Sequence, residues 1–184
     1  MTAQPSLVTQ RLRLRPLTAE DAPAVEHLAG AREIADTTLT IPHPYPPGAA
    51  VAWIATHAEQ FAAGTAVVFG IELKEPRELV GSIGLHVKPE HANAEMGYWV
   101  GVPYWNRGYA AEAARALISY GFERLGLERI HAHYFMRNAA SGRVMEKAGM
   151  TREGLLRRAV RKNGMFEDLV VYAILRDEYR GRPK

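Results

Sequence analysis

The chain has 184 residues, about one domain, a length that buries roughly 70% of the unfolded surface without staples. Its 23 Lys and Arg against 20 Asp and Glu leave a formal charge of +3, too little surplus to mark a nucleic-acid-binding protein. The absence of cysteine excludes disulfides, thiolate nucleophiles, Fe–S clusters and Cys-type zinc sites, and no apolar run is long enough to span a bilayer. The start, Met1-Thr2-Ala3-Gln4-Pro5, has neither the basic opening nor the apolar run of a signal peptide, so a cytoplasmic single domain with its core over about residues 9–178 is expected.

In Arg11-Leu12-Arg13-Leu14-Arg15 the leucines and arginines alternate, which predicts a half-buried strand. Thr18-Ala19-Glu20-Asp21 resembles a capping box and opens a helix to about Ala31. Residues 36–48 carry Pro42, Pro44, Pro46, Pro47 and Gly48 and predict an ordered loop. A second helix is expected from about Ala49 to Ala63, stopping at Gly64. Three strands follow, at 66–73, 79–87 and 95–100.

From Ala110 to Phe122 the period changes. Apolar residues at 110, 113, 114, 117, 118 and 121 face away from Glu112, Arg115, Ser119 and Glu123, which is an amphipathic helix ended by Gly126. A strand at 129–134 and a short helix at 139–148, closed by Gly149, come next. Asn163-Gly164 between runs at about 151–161 and 166–174 marks a two-residue hairpin. The basic tail Arg176–Lys184 is expected to fray after Tyr179. The order β-α-α-β-β-β-α-β-α-β-β describes an α/β (α+β) domain. Its mixed, mostly antiparallel sheet has helices on its flanks and one parallel step, through the helix between residues 95 and 134.

The segment from Glu95 to Ala113, EMGYWVGVPYWNRGYAAEA, reads as a strand, a tight turn and the start of a long helix. Such a turn leaves backbone N–H groups free and aimed together, and the helix dipole adds positive potential; both favour a phosphate or diphosphate. Arg107 adds a formal charge, and Gly108 permits close approach of the backbone. Neither G-x-G-x-x-G nor G-x-x-x-x-G-K-[ST] is present. On spacing alone, an equal reading is that Gly108 and the alanines simply pack the helix on the sheet.

The same segment resembles the acetyl-CoA-binding motif of the GNAT superfamily of N-acetyltransferases. It is closest to the branch of the ribosomal-protein alanine and serine N-acetyltransferases, which reads approximately E-x-G-Y-W followed by W-G-[KRQ]-G-Y-A-T-E-A. The resemblance extends over almost the whole chain. It takes in Leu12-Arg13-Leu14-Arg15-Pro16, Pro42-His43-Pro44-Tyr45, Trp53-Ile54, Asn138-x-x-Ser141, Val144-Met145-Glu146-Lys147-Ala148-Gly149-Met150 and Glu153-Gly154.

The resemblance implies a GNAT fold and acetyl transfer from acetyl-CoA to an amine, with no metal. Val100 and Val102 would offer backbone groups to the pantetheine arm, and Arg107, Gly108, Tyr109, Ala110 and Ala111 would hold the diphosphate. Asn138 would hydrogen-bond the CoA arm. Trp105 stands at the first position of the phosphate motif, as in the branch, while Asn106 and Ala111 replace its usual Gly and Thr. An oxyanion donor is expected at a main-chain N–H near Val100.

Glu95, opening the strand whose far end receives the thioester, is the candidate base; the alternative is a surface carboxylate. The superfamily's frequent tyrosine acid is Met145 here, which has no proton to give, so Ser141 is the candidate acid, or else a helix-start hydrogen bonder. His43 and Tyr45 in the proline-rich loop, and Arg157 on the hairpin arm, are candidate acceptor-binding residues. The competing readings are a rigid connector for the first two, and for Arg157 a solvated basic face shared with Arg158, Arg161 and Lys162. His131 and His133 share a strand face without a suitably spaced carboxylate, which predicts polar packing and not a metal site.

The preferred acceptor is a protein or peptide N-terminus. Other readings are a small amine (a polyamine, aminoglycoside or amino-acid-like compound) or a non-catalytic acyl-CoA-sensing module. No direct nucleic-acid or membrane partner is expected, and a homodimer follows from analogy alone.

Overall fold

The computed structural model describes residues 3–179. The tail expected to fray lies beyond them. One eight-stranded sheet runs through the molecule in the order β1-β2-β3-β4-β5-β6-β8-β7. The strands are β1 (Leu7–Val8), β2 (Leu12–Arg15), β3 (Ala66–Leu73), β4 (Glu78–Lys88), β5 (Asn93–Val100), β6 (Arg129–Phe135), β7 (Thr151–Lys162) and β8 (Met165–Leu175). Only β5 and β6 pair in parallel, as the crossover through the long helix requires.

The helices are α1 (Ala22–Ala29), α2 (Arg32–Thr37), α3 (Ala49–Ala55), α4 (His57–Ala62), α5 (Tyr109–Glu123) and α6 (Ala139–Lys147). Neighbouring residues of a strand point to opposite faces. Val80 and Val100 join one core cluster with Leu117 and Ile118 of α5 and Met145 of α6. Leu79 and Trp99 join a second with Val25 and Leu28 of α1 and Ile54 of α3. The sheet is therefore covered on both faces. The fully buried run of β3 fits this, since a strand enclosed on both sides needs no polar alternation.

Several boundaries shift by one or two residues; β5 begins at Asn93, so Glu95 is its third residue and not its opening one, and four elements differ more than this. The chain adds a two-residue edge strand, β1, too short to register as alternation. Asp21 does accept from the Thr18 amide at 2.8 Å, but it opens a single 3-10 turn before α1. The first helix stops at Ala29 and restarts as α2, because the backbone at Ala31 is extended. The second divides at Thr56, whose hydroxyl donates to the Trp53 carbonyl at 2.8 Å. Local hydroxyl-to-backbone bonding of this kind competes with the helix ladder. The hairpin is as expected, with positive φ at both Asn163 (49°) and Gly164 (82°).

Candidate active site

β5 and β6 share three rungs, ending at Glu95 opposite His131, and then diverge. The ladder with β4 fixes what this exposes. The Gly101 amide donates to Val80 at 2.8 Å, so residues 95, 97 and 99 bond towards β4 by alternation. Met96, Tyr98 and Val100 consequently turn their N–H and C=O groups towards β6, into the opening. The Val100 N–H thus faces the opening. Its carbonyl accepts the Trp105 indole N–H at 2.5 Å, and the Val102 carbonyl accepts the Trp105 amide at 3.2 Å.

Two cavities meet at this opening, sharing Thr37, Thr38, Tyr98, Trp99 and Ser141. The smaller, about 310 Å³, lies against the first turn of α5 and the start of α6. Gly108 precedes α5 with φ of 79°, a left-handed conformation that suits glycine. The Glu112 amide is the first in α5 to bond back, to Gly108 at 3.1 Å. The amides of Tyr109, Ala110 and Ala111 have no partner among the described residues. Three convergent donors at the positive end of a helix suit a diphosphate. Gly108, Tyr109, Ala110, Ala111, Val100 and Asn138 all line this cavity. Asn138 caps α6, and its side chain makes no hydrogen bond among the described residues. Val102 and Arg107 do not line it, and Arg107 is exposed beside its rim.

Arg11 is a support that sequence reasoning missed. Its Nη1 donates to the Arg107 carbonyl at 2.9 Å, its guanidinium lies 4.8 Å from the Tyr109 ring centroid, and its Nε donates to Glu112 at 2.8 Å. Glu112 also accepts from the Thr9 hydroxyl at 2.6 Å and the Arg11 amide at 2.8 Å. Burial would raise its pKa, but these bonds outweigh it and hold the carboxyl below the usual range. The turn before α5 is thereby fastened to the first β-corner of the fold.

The larger cavity, about 630 Å³, contains Glu95, His133, His86, Trp53 and Tyr45, and is walled by residues 37–42. Glu95 Oε1 lies 3.3 Å from His133 Nδ1, and Oε2 lies 3.9 Å from His131 Nε2. The carboxylate near the two histidines comes from the adjoining strand, which spacing along β6 alone does not reveal. His131 Nδ1 is 3.0 Å from Asn93 Oδ1. Burial lowers its pKa despite the Glu95 charge, which favours the neutral ring.

At the junction, Ser141 Oγ sits 2.6 Å from Tyr98 Oη, which also donates to the Ser141 carbonyl at 3.1 Å. Burial pushes the Tyr98 phenol up to about 12, so it stays protonated. Met145 is buried in the core, and Tyr98, present in the E-x-G-Y-W stretch but given no role from sequence, brings a hydroxyl from β5. Of the expected acceptor residues, only Tyr45 enters the cavity. His43 is exposed and bonds the Gly30 carbonyl at 3.0 Å, which fastens the proline-rich loop. Arg157 is exposed at an irregularity of β7 and lines neither cavity.

The chain is similar to known proteins in sequence and fold. The acetyltransferase (GNAT) domain family matches residues 11–151. An uncharacterized N-acetyltransferase of Bacillus subtilis, YoaA, is 35% identical over 178 residues, covering 94% of this chain and 97% of the relative. The ribosomal-protein-serine acetyltransferase of Escherichia coli is 30% identical over 101 residues, 54% of this chain and 56% of that protein. A GNAT-family acetyltransferase structure from Bacillus anthracis superposes with a TM-score of 0.83 at 28% identity, covering 94% of this chain and 99% of that one. The fold is also that of RimL, the ribosomal L7/L12 alpha-N-protein acetyltransferase crystallised with coenzyme A, with a TM-score of 0.86 at 20% identity over 95% of this chain and all (100%) of that one. The chain belongs to the GNAT family and is an N-acetyltransferase.

Proposed function

We propose that this chain moves acetyl from acetyl-CoA to the α-amine of a peptide or protein N-terminus, the two bound together and meeting where β5 parts from β6. The observation that carries the reading is the junction of two cavities, one edged by free helix-start amides and the other holding Glu95.

Acetyl-CoA supplies an activated acyl carbon as its thioester. The amides of Tyr109, Ala110 and Ala111 hold the diphosphate, and Asn138 bonds the arm. The Val100 N–H, turned into the opening, donates to the acyl oxygen as charge gathers there, where a preorganised donor acts most strongly. Glu95 takes the proton of the acceptor ammonium directly or through one water, with His133 beside it. The freed amine nitrogen bonds to the acyl carbon, the carbon–sulfur bond breaks, and Ser141 Oγ, backed by Tyr98, gives the departing sulfur its proton; the proton that the new amide nitrogen sheds passes through water and restores the Ser141 hydroxyl.

Acceptor chemistry favours the α-amine. A peptide α-amine titrates near 7.7–8.0 and a lysine near 10.4, so deprotonating lysine costs about 3.5 kcal/mol more. One carboxylate base suits the easier amine. The larger cavity is also of a size that takes small ligands.

The test is incubation with acetyl-CoA and matched panels of N-terminal peptides and small amines, read by mass. Acetylation of peptide α-amines is expected. Modification of polyamines or aminoglycosides alone overturns the acceptor assignment, and CoA-induced thermal stabilisation without any transfer makes the chain an acyl-CoA sensor.

A further inference from the structure

The segment joining α2 to the proline-rich loop walls the larger cavity; Leu39, Thr40, Ile41 and Pro42 line it alone, while Thr37 and Thr38 also border the smaller one. Its upstream end is secured by helix α2, where the Thr38 hydroxyl donates to the Ile34 carbonyl at 2.8 Å. Its downstream end is secured by His43 on the Gly30 carbonyl. Between them the wall has no secondary structure, and few internal bonds make for easy local opening.

One side chain bridges this gap from far away in the chain. Lys162, the last residue of β7, donates from Nζ to the Leu39 carbonyl at 3.2 Å and to the Ile41 carbonyl at 2.8 Å. Among the described residues, no other hydrogen bond reaches residues 39–42. Nearby, Arg137 donates to the Asp36 carbonyl and pairs with Glu167 of β8 at 2.9 Å, so the base of the same wall is tied to the same hairpin. Lys162 is half-buried, unlike exposed Arg157, Arg158 and Arg161 beside it. It is therefore set apart from the solvated basic face of the arm.

We infer that Lys162 is a positioning residue that latches the acceptor wall, so that the β7–β8 hairpin sets acceptor affinity without touching the CoA side. The amine of Lys162 stays on two backbone carbonyls and takes no part in proton transfer. Reading the wall as an acceptor wall rests on the proposed function; the latch itself does not.

The experiment compares Lys162→Met and Lys162→Arg with the unaltered chain. In the Met variant, acceptor KM rises roughly tenfold, equivalent to about 1.4 kcal/mol and the low end for hydrogen bonds to a charged group. Its kcat at saturating acceptor and its affinity for CoA stay within twofold, as a latch remote from the first turn of α5 requires. The Arg variant, which keeps charged donors, recovers most of the loss. Limited thermolysin cleavage before Leu39, on the chain without ligands, is faster in the Met variant, a readout independent of turnover. Unchanged cleavage there overturns the latch. Faster cleavage with unchanged acceptor KM, or with CoA affinity falling in parallel, overturns its acceptor-side role. If the unaltered chain acetylates no amine, the proposed function fails, while the cleavage experiment still decides the latch.

Discussion

Tyr98 Oη and Ser141 Oγ stand 2.6 Å apart, joining the diverging end of β5 to the first turn of α6. Tyr98 donates also to the Ser141 carbonyl, so a single phenol fixes the backbone and the hydroxyl of its partner. With its pKa pushed up to about 12 by burial, Tyr98 remains a donor throughout the physiological range. When the single phenol proton lies on Ser141 Oγ, the serine hydroxyl keeps its own proton to offer into the shared opening.

Replacing Ser141 with Ala is therefore expected to lower kcat by about 100-fold, the lower bound for a proton donor, with little change in acetyl-CoA KM. Tyr98→Phe keeps Ser141 but loses its orientation, and a smaller fall in kcat is expected. Steady-state kinetics of both variants check the order. A larger loss in the Tyr98 variant would make the phenol the proton source.

Glu95→Gln removes the proposed base, and kcat/KM is expected to fall by about 100-fold or more. The loss belongs to kcat/KM at every pH where the carboxylate is charged. In the unaltered enzyme, kcat/KM for an α-amine peptide rises as pH approaches the amine pKa of about 8. For a lysine side chain the rise moves towards 10. Profiles for one peptide with its α-amine free, and again with only its lysine free, measure the displacement. Coincident profiles would mean that acceptor deprotonation does not limit the reaction.

Glu112 binds the phosphate turn to Thr9 and Arg11, and the prediction has two parts. Its folded carboxyl titrates below the usual range, so the native state gains stability above the unfolded pKa of about 4.3 and loses it as pH falls through that region. Glu112→Gln is expected to lower the melting temperature at pH 7, with the difference from the unaltered chain shrinking towards pH 3. Because Arg11 also holds the Arg107 carbonyl, CoA binding weakens as well. Melting curves across pH, with and without CoA, separate the two effects.

What was legible in the sequence was local. The free amides of Tyr109, Ala110 and Ala111, the asparagine at the start of α6 and the Asn163-Gly164 turn are set by residues a few positions apart, and short-range spacing reports them. Glu95 was legible as a strand-opening carboxylate, but its neighbours His131 and His133 meet it only because β6 pairs in parallel with β5. Tyr98 and Ser141 are 43 residues apart, Arg11 and Glu112 are 101, and Lys162 and Leu39 are 123. No periodicity encodes such partners; the sheet order brings them together. Arg157 illustrates the reverse error. A basic residue on a strand near the site was a reasonable acceptor ligand, but β7 is the sheet's edge strand, exposed along nearly its whole length, and Arg157 faces solvent with it.

His57 yields a prediction about stability instead of catalysis. It begins α4, only 6% exposed, and neither ring nitrogen finds a hydrogen-bond partner among the described residues. The ring stands edge-on to Trp53 with centroids 4.5 Å apart. Burial, aided by His86, pulls its pKa down to about 4, so it stays neutral in the folded chain. In the unfolded chain it protonates near 6.5. Between those values the unfolded state binds the extra proton, so stability is full above pH 6.5 and drains away as pH falls towards 4. His57→Phe removes the unpaired nitrogens while keeping an aromatic edge for Trp53, and an apolar replacement at an unsatisfied buried site is neutral or stabilising. Its melting temperature is expected to match or exceed that of the unaltered chain at pH 7.5, with the advantage widening at pH 5. A constant difference between those two pH values would show that His57 carries the same charge in the folded and unfolded chains.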